Sequence, residues 1–169
     1  MALNFQEDDS KMKRIGLVVA RMQPLHLGHI SLIETAIRGN DEIVICIGSA
    51  QKAEPLPIEE RRERIAEKLN SLGYDTGLYR IFELDDIESD EEWPLYLKNG
   101  CEITDGTENT FYTSDSLPES YLKAMRDLGF RIRTIERGSF DYEASNGMVY
   151  KVSSATKIRE ICKRLGLRV

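Results

Sequence analysis

Short apolar runs alternate along the chain with amphipathic stretches. Residues 15–20 are apolar and rich in β-branched side chains, the pattern of a strand buried on both faces. Residues 28–38 place Ile30, Ile33 and Ile37 at spacings of three and four, which predicts a helix, with Gly39 as a left-handed C′ residue. Residues 42–47 (Glu-Ile-Val-Ile-Cys-Ile) predict a second buried strand. Residues 57–72 predict the clearest helix. Ile58, Ile65, Leu69 and Leu72 share one face, Pro57 suits the first turn, Glu59 and Glu60 complement the dipole, and Gly73 ends it.

Residues 78–82 predict a third strand, and 91–98 a short helix carrying the only tryptophan, Trp93. Residues 110–113 predict a fourth strand. Ser116 and Glu119 have the spacing of a capping box for a helix reaching Leu128, which Gly129 stops. Residues 130–135 predict a fifth strand and 136–152 a long loop or hairpin. A last helix starts near Ser154 and aligns Ile158, Ile161, Cys162 and Leu165. No internal repeat or low-complexity tract interrupts the pattern. The alternation predicts an α/β fold, an open parallel five-stranded sheet with helices on both faces. It reads as one domain over residues 14–169 behind a flexible tail, 1–13. Such sheets bind ligands beyond the carboxyl ends of their strands, where the strand order reverses.

Composition narrows the function classes. The chain has 169 residues, 41% hydrophobic and 31% charged, which suits one soluble globular domain. No apolar run approaches the ~20 residues of a membrane span. The polar N-terminus lacks the apolar core of a secretory signal. Three cysteines with no C-x-x-C pair are expected as free thiols in a reducing cytoplasm, and they lack zinc-site spacing. A net charge of −6 argues against nucleic acid as a partner. A small anionic ligand needs only a few donors and stays open.

The chemistry concentrates at two helix starts. After the first strand comes Arg21-Met22-Gln23-Pro24-Leu25-His26-Leu27-Gly28-His29, which holds both histidines of the chain. Gly28 permits close backbone approach, the helix start offers N–H groups and a positive dipole end, and Arg21 adds a fixed charge. Ser153-Ser154-Ala155-Thr156-Lys157-Ile158-Arg159 opens the last helix and makes a second anion site. The plain alternatives are histidines that only cap or pack, and a capping serine beside a solvated arginine. Two helix starts on one sheet edge would clamp a triphosphate.

His26-x-Gly28-His29 with Ser154-x-Thr156-x-Ile158-Arg159 resembles the signature of the HxGH nucleotidyltransferase superfamily. The resemblance is closest to the archaeal-type nicotinamide-nucleotide adenylyltransferases. They share an Arg-Met/Phe-Gln-Pro stretch (here Arg21 to Pro24) and a Gly-Ser-Ala-Gln stretch (here Gly48 to Gln51). They also share Asp86-Ile87-Glu88 with a tryptophan seven residues beyond the aspartate, here Trp93. The resemblance covers roughly residues 14–160 and implies a Rossmann-like sheet of the nucleotidyltransferase type. It implies catalytic roles for His26, His29 and Arg159. ATP contacts are implied for Arg21, Met22, Gln23, Pro24, Gly28, Asp115, Ser154 and Thr156. Acceptor contacts are implied for Ser49, Asp86, Ile87 and Trp93, the last two regions holding a nicotinamide ring. Departures are Ala20 where the family often has glycine, a shorter loop after Gln51 that offers only Lys52, an extra stretch at residues 141–151, and a short C-terminus.

The implied reaction is in-line transfer of AMP from ATP to nicotinamide mononucleotide (NMN), giving NAD and pyrophosphate, with Mg²⁺ carried by ATP rather than held in a protein metal site. Other acceptors, such as nicotinate mononucleotide or pantetheine phosphate, or CTP as donor, keep the class. A non-catalytic nucleotide-binding protein is the alternative outside it. A fragment of a class I aminoacyl-tRNA synthetase is disfavoured by length and acidity. Homo-oligomers are common in the family, and a cytoplasmic location is expected.

Overall fold

A computed structural model describes residues 11–114, 116–136 and 138–169. Five strands form one sheet: β1 (Arg14–Ala20), β2 (Glu42–Ile47), β3 (Tyr79–Glu83), β4 (Glu108–Thr113) and β5 (Phe130–Thr134). Their order is β3-β2-β1-β4-β5, and every pairing is parallel. The order reverses between β1 and β4, so a crevice opens beyond their carboxyl ends.

The helices are α1 (Leu27–Gly39), α2 (Ile58–Ser71), α3 (Trp93–Gly100), α4 (Glu119–Asp127) and α5 (Ala155–Leu165). Strand alternation divides the interior. Val18, Ile43, Ile45, Ile47 and Tyr112 face one side, where Leu32, Ile33 and Ala36 of α1 and Ile65 and Leu69 of α2 cover them. Leu17, Val44, Cys46 and Phe111 face the other side, under Leu97 of α3 and Tyr121 and Met125 of α4. Each fully buried aliphatic side chain contributes about 1.5–3 kcal/mol, so the sheet's two faces supply most of the driving force. All three cysteines are free and buried. Among the described residues no helix is long and apolar enough to cross a membrane.

Residues 136–152 contain a hairpin, β6 (Phe140–Glu143) paired antiparallel with β7 (Val149–Val152). It has its own small core, in which Val152 packs with Ile158 and Cys162 of α5 and with Phe140, Tyr142 and Tyr150. The extra stretch noted in the sequence is therefore a device that seats α5.

Several local expectations are corrected. Gly39 is the last residue of α1, not a left-handed C′. The helix ends at Asn40 in extended backbone, φ −137°. A Cβ at Gly39 would lie 2.7 Å from Tyr112 Oη, so this glycine makes room for a tyrosine. The Ser116–Glu119 capping box does not form. Pro118 occupies the cap position without a side-chain bond, and Glu119 instead accepts from Arg126 at 2.7 Å. Leu72 caps α2 rather than extending its apolar face and is exposed. α3 starts at Trp93, two residues later than the pattern predicts, with Pro94 in its first turn. Gly73 and Gly129 do stop their helices, at φ +84° and +90°. Of the expected tail, residues 1–10 lie outside the described residues. Lys13 is tied down, since its carbonyl accepts from Glu108 N–H at 2.9 Å.

Candidate functional site

His26 is the N-cap of α1, in extended backbone at φ −142°. Its Nδ1 accepts the backbone N–H of His29 at 3.3 Å. His29 reciprocates, with Nδ1 accepting the backbone N–H of His26 at 3.3 Å. The rings stack with centroids 3.6 Å apart and planes 18° from parallel. A nitrogen that accepts carries no proton, so each neutral ring bears its proton on Nε2. The sequence posed capping and ligand binding as alternatives. The structure shows the capping, through both Nδ1 atoms, and ligand binding through the Nε2 edges is a proposal.

Gly28 allows this fold-back, since a Cβ there would lie 2.9 Å from His26 Cε1. On its other face His26 stacks on Phe140, centroids 4.5 Å apart and planes 22° from parallel. The hairpin thus reaches the histidines, a contact the sequence reading missed.

The second element also forms. Ser154 caps α5, its Oγ accepting from Lys157 N–H at 3.3 Å. Arg159 donates from Nη1 to the Gln23 carbonyl at 2.7 Å and from Nη2 to Thr156 Oγ1 at 3.1 Å. The guanidinium therefore ties the α5 start to the loop after β1. A cavity of about 550 Å³ is lined by Arg21, Met22, His26, His29, Ser154, Thr156 and Arg159, together with Ser49, Asp86, Ile87 and Trp93. A second, of about 310 Å³, is lined by His26, Gly28, His29, Thr113, Gly138 and Phe140 among others. The histidines line both and sit where the two meet. Gln23 and Pro24 line neither and are buried, with Gln23 Nε2 donating to the Lys52 carbonyl at 3.2 Å. Their place is under the loop. Asp115 lies outside the described residues.

Within the lining of the larger cavity, Ser49 Oγ donates to Asp86 Oδ1 at 2.8 Å. Gln51 Nε2 donates to Asp86 Oδ2 at 3.3 Å, while its Oε1 accepts the Asp86 backbone N–H at 3.1 Å. Lys52 Nζ lies 3.6 Å from Asp86 Oδ2. The one cation of the short loop is thus directed at Asp86. Trp93 packs on Tyr96 with centroids 5.4 Å apart. Among the described residues, no group of three or more His, Cys, Asp or Glu side chains is placed to hold a metal ion.

Arg61 is a further residue that sequence reasoning missed. It is fully buried on α2, and burial lowers its pKa from the usual arginine value. The signal was present, because Arg61 sits at apolar-face spacing between Ile58 and Ile65.

Residues 17–93 match the model of the cytidylyltransferase-like family. Over 88 residues the chain is 38% identical to nicotinamide-nucleotide adenylyltransferase of Pyrococcus horikoshii, spanning 50% of this chain and 47% of that protein. Over 86 residues it is 34% identical to the enzyme of that name from Saccharolobus solfataricus, spanning 48% of this chain and 50% of that protein. The chain spans about half the length of the curated relatives it matches. The structure of a bifunctional NMN adenylyltransferase/ADP ribose pyrophosphatase from Francisella tularensis, complexed with AMP and a manganese ion, is similar at TM-score 0.70 and 21% identity, covering 90% of this chain and 42% of that one. A NadR protein in complex with NR is similar at TM-score 0.61 and 19% identity, covering 88% and 41%. At these identities the solved structures speak to fold. Residues 17–93 are thus similar in sequence to the cytidylyltransferase-like family, and most of the chain is similar in fold to these solved structures.

Proposed function

We propose that this protein is an adenylyltransferase that moves AMP from ATP to NMN, forming NAD and pyrophosphate, in the cytoplasm. One observation carries the reading. Two stacked histidines, each with Nδ1 accepting a backbone N–H, stand at the junction of two cavities and at a helix N-terminus. An α-phosphate at that junction has one cavity for each of its two substituents. The smaller cavity would take the adenosine, and the larger the pyrophosphoryl group and the acceptor.

An acceptor phosphate oxygen attacks the α-phosphorus, the bond to the β-phosphate oxygen breaks, and pyrophosphate leaves. The acceptor is already an anion, so no general base is required. His26 and His29 donate to the α-phosphate oxygens as charge builds there. The α5 start, with Ser154, Thr156 and Arg159, holds the β- and γ-phosphates, and Arg21 adds charge. Mg²⁺ would arrive on the ATP phosphates, keep several of its waters and neutralise triphosphate charge.

Asp86 and Trp93 select the acceptor. A carboxylate held on both oxygens still accepts from an amide N–H and repels a second carboxylate. Trp93 offers an aromatic face beside it. That pair favours nicotinamide over nicotinate. The test is pyrophosphate release from ATP with NMN, nicotinate mononucleotide and pantetheine phosphate in parallel. NMN should be preferred and NAD should appear. ATP binding with no pyrophosphate release from any acceptor would make the protein a nucleotide binder instead.

A further inference from the structure

Arg61 has no exposed surface, yet among the described residues its guanidinium hydrogen-bonds to no carboxylate. Instead it donates to main-chain carbonyls from two separate loops. Nη1 reaches the carbonyls of Arg21 and Gly48, both at 3.0 Å. Nη2 reaches those of Ser49 at 3.1 Å, Lys52 at 2.9 Å and Ala50 at 3.4 Å. Its Nε is buried without a partner. A buried cation is costly unless fully bonded, so this arrangement persists only where the carbonyls it gathers are needed in place.

The carbonyls it selects flank strained backbone. Met22 and Ser49 are non-glycine residues in the left-handed region, at φ 54° and 52°. The Arg21 carbonyl immediately precedes Met22, and the carbonyls of Gly48 and Ser49 bracket Ser49. Left-handed backbone at such residues lasts only when its surroundings over-determine it. Met22 belongs to the loop that leads to His26, and Ser49 is the residue that holds Asp86. The Lys52 carbonyl, which Arg61 binds, also accepts from Gln23, whose own carbonyl receives Arg159.

We infer that Arg61 is a positioning residue that sets the phosphate-binding loop after β1 and the acceptor-binding loop after β2 in register, acting only through backbone carbonyls. The inference rests on the adenylyltransferase reading for what each loop binds. One planar guanidinium spans both loops, which a lysine ammonium cannot do with the same fork geometry.

The test uses Arg61→Lys and Arg61→Ala in the whole chain, with Ile65→Val on the same helix as a stability control. Wild-type turnover of ATP with NMN is measured first. Its absence sinks the adenylyltransferase reading alone, and Arg61 is then judged on ATP and NMN affinities measured separately by calorimetry. Folded Arg61→Lys should lose both ligands together, with the two KM (or Kd) values raised about tenfold or more and turnover reduced. Arg61→Ala should recover turnover or ligand affinity with millimolar guanidinium and not with methylammonium. Ile65→Val should lower Tm and leave both KM values unchanged. Wild-type constants in either folded Arg61 variant, or loss of one ligand only, would overturn the inference.

Discussion

Phe140 lies flat against His26, ring centroids 4.5 Å apart, so the hairpin β6–β7 completes a stack that runs Phe140, His26, His29. The hairpin is therefore more than an insertion on the sheet edge. It presses the first histidine against the second and, through its own core, sets the start of α5. Phe140→Leu keeps apolar volume and removes the ring. An aromatic pair contributes about 0.5–1.5 kcal/mol beyond its buried area, which bounds the loss in turnover near tenfold. Steady-state kinetics check this, and an unchanged kcat would make the stack incidental.

His29→Ala should reduce kcat by roughly 10²-fold or more, as loss of a transition-state donor does. It also removes one half of the reciprocal cap on α1, so Tm should fall. Turnover near wild type in the folded variant would remove His29 from the mechanism.

Asp86→Asn should narrow the preference for NMN over nicotinate mononucleotide, because the acceptor would then meet an amide instead of a charge. Trp93→Ala should raise KM for NMN and leave KM for ATP near its starting value. The comparison of kcat/KM for the two acceptors reads the first, and separate substrate titrations read the second.

Gly39→Ala should destabilise the fold. The new Cβ would sit 2.7 Å from Tyr112 Oη, and that hydroxyl also accepts from Asn40 Nδ2 at 2.9 Å. Overpacking of this kind costs about 1–3 kcal/mol, readable in urea denaturation as a lower midpoint at constant slope.

Asp41 gives a pH prediction. Its carboxylate accepts from the Arg14 side chain and backbone N–H, and these bonds lower its pKa from the ordinary 3.8 to about 2. A depressed carboxylate stabilises the fold above its unfolded value, and that contribution is lost as pH falls from near 3.8 through about 2. Asp41→Asn should therefore flatten the fall in Tm across that interval. The group is solvent-exposed, so added salt should shrink the difference between the two proteins.

Periodicity and turn residues carried the architecture into the sequence. The buried runs at β1 and β2, the 3.6-residue spacing in α1, α2 and α5, and glycines such as Gly73 and Gly129 are local signals, and each appears where the pattern predicted it. The two helix-start motifs were legible for the same reason, since a motif at a strand-to-helix turn is written in consecutive residues. What only the tertiary structure decided involves partners distant in the chain. Gly39 answers to Tyr112, Arg159 to the Gln23 carbonyl, His26 to Phe140, and Arg61 to carbonyls on two loops. Local spacing marks only that Arg61 falls on the apolar face of α2, and it names none of these partners. The strand order β3-β2-β1-β4-β5 brings such residues together, because it sets β1, β2 and β4 side by side: residues remote in sequence share the crevice at their carboxyl ends, and Gly39 meets Tyr112 away from it.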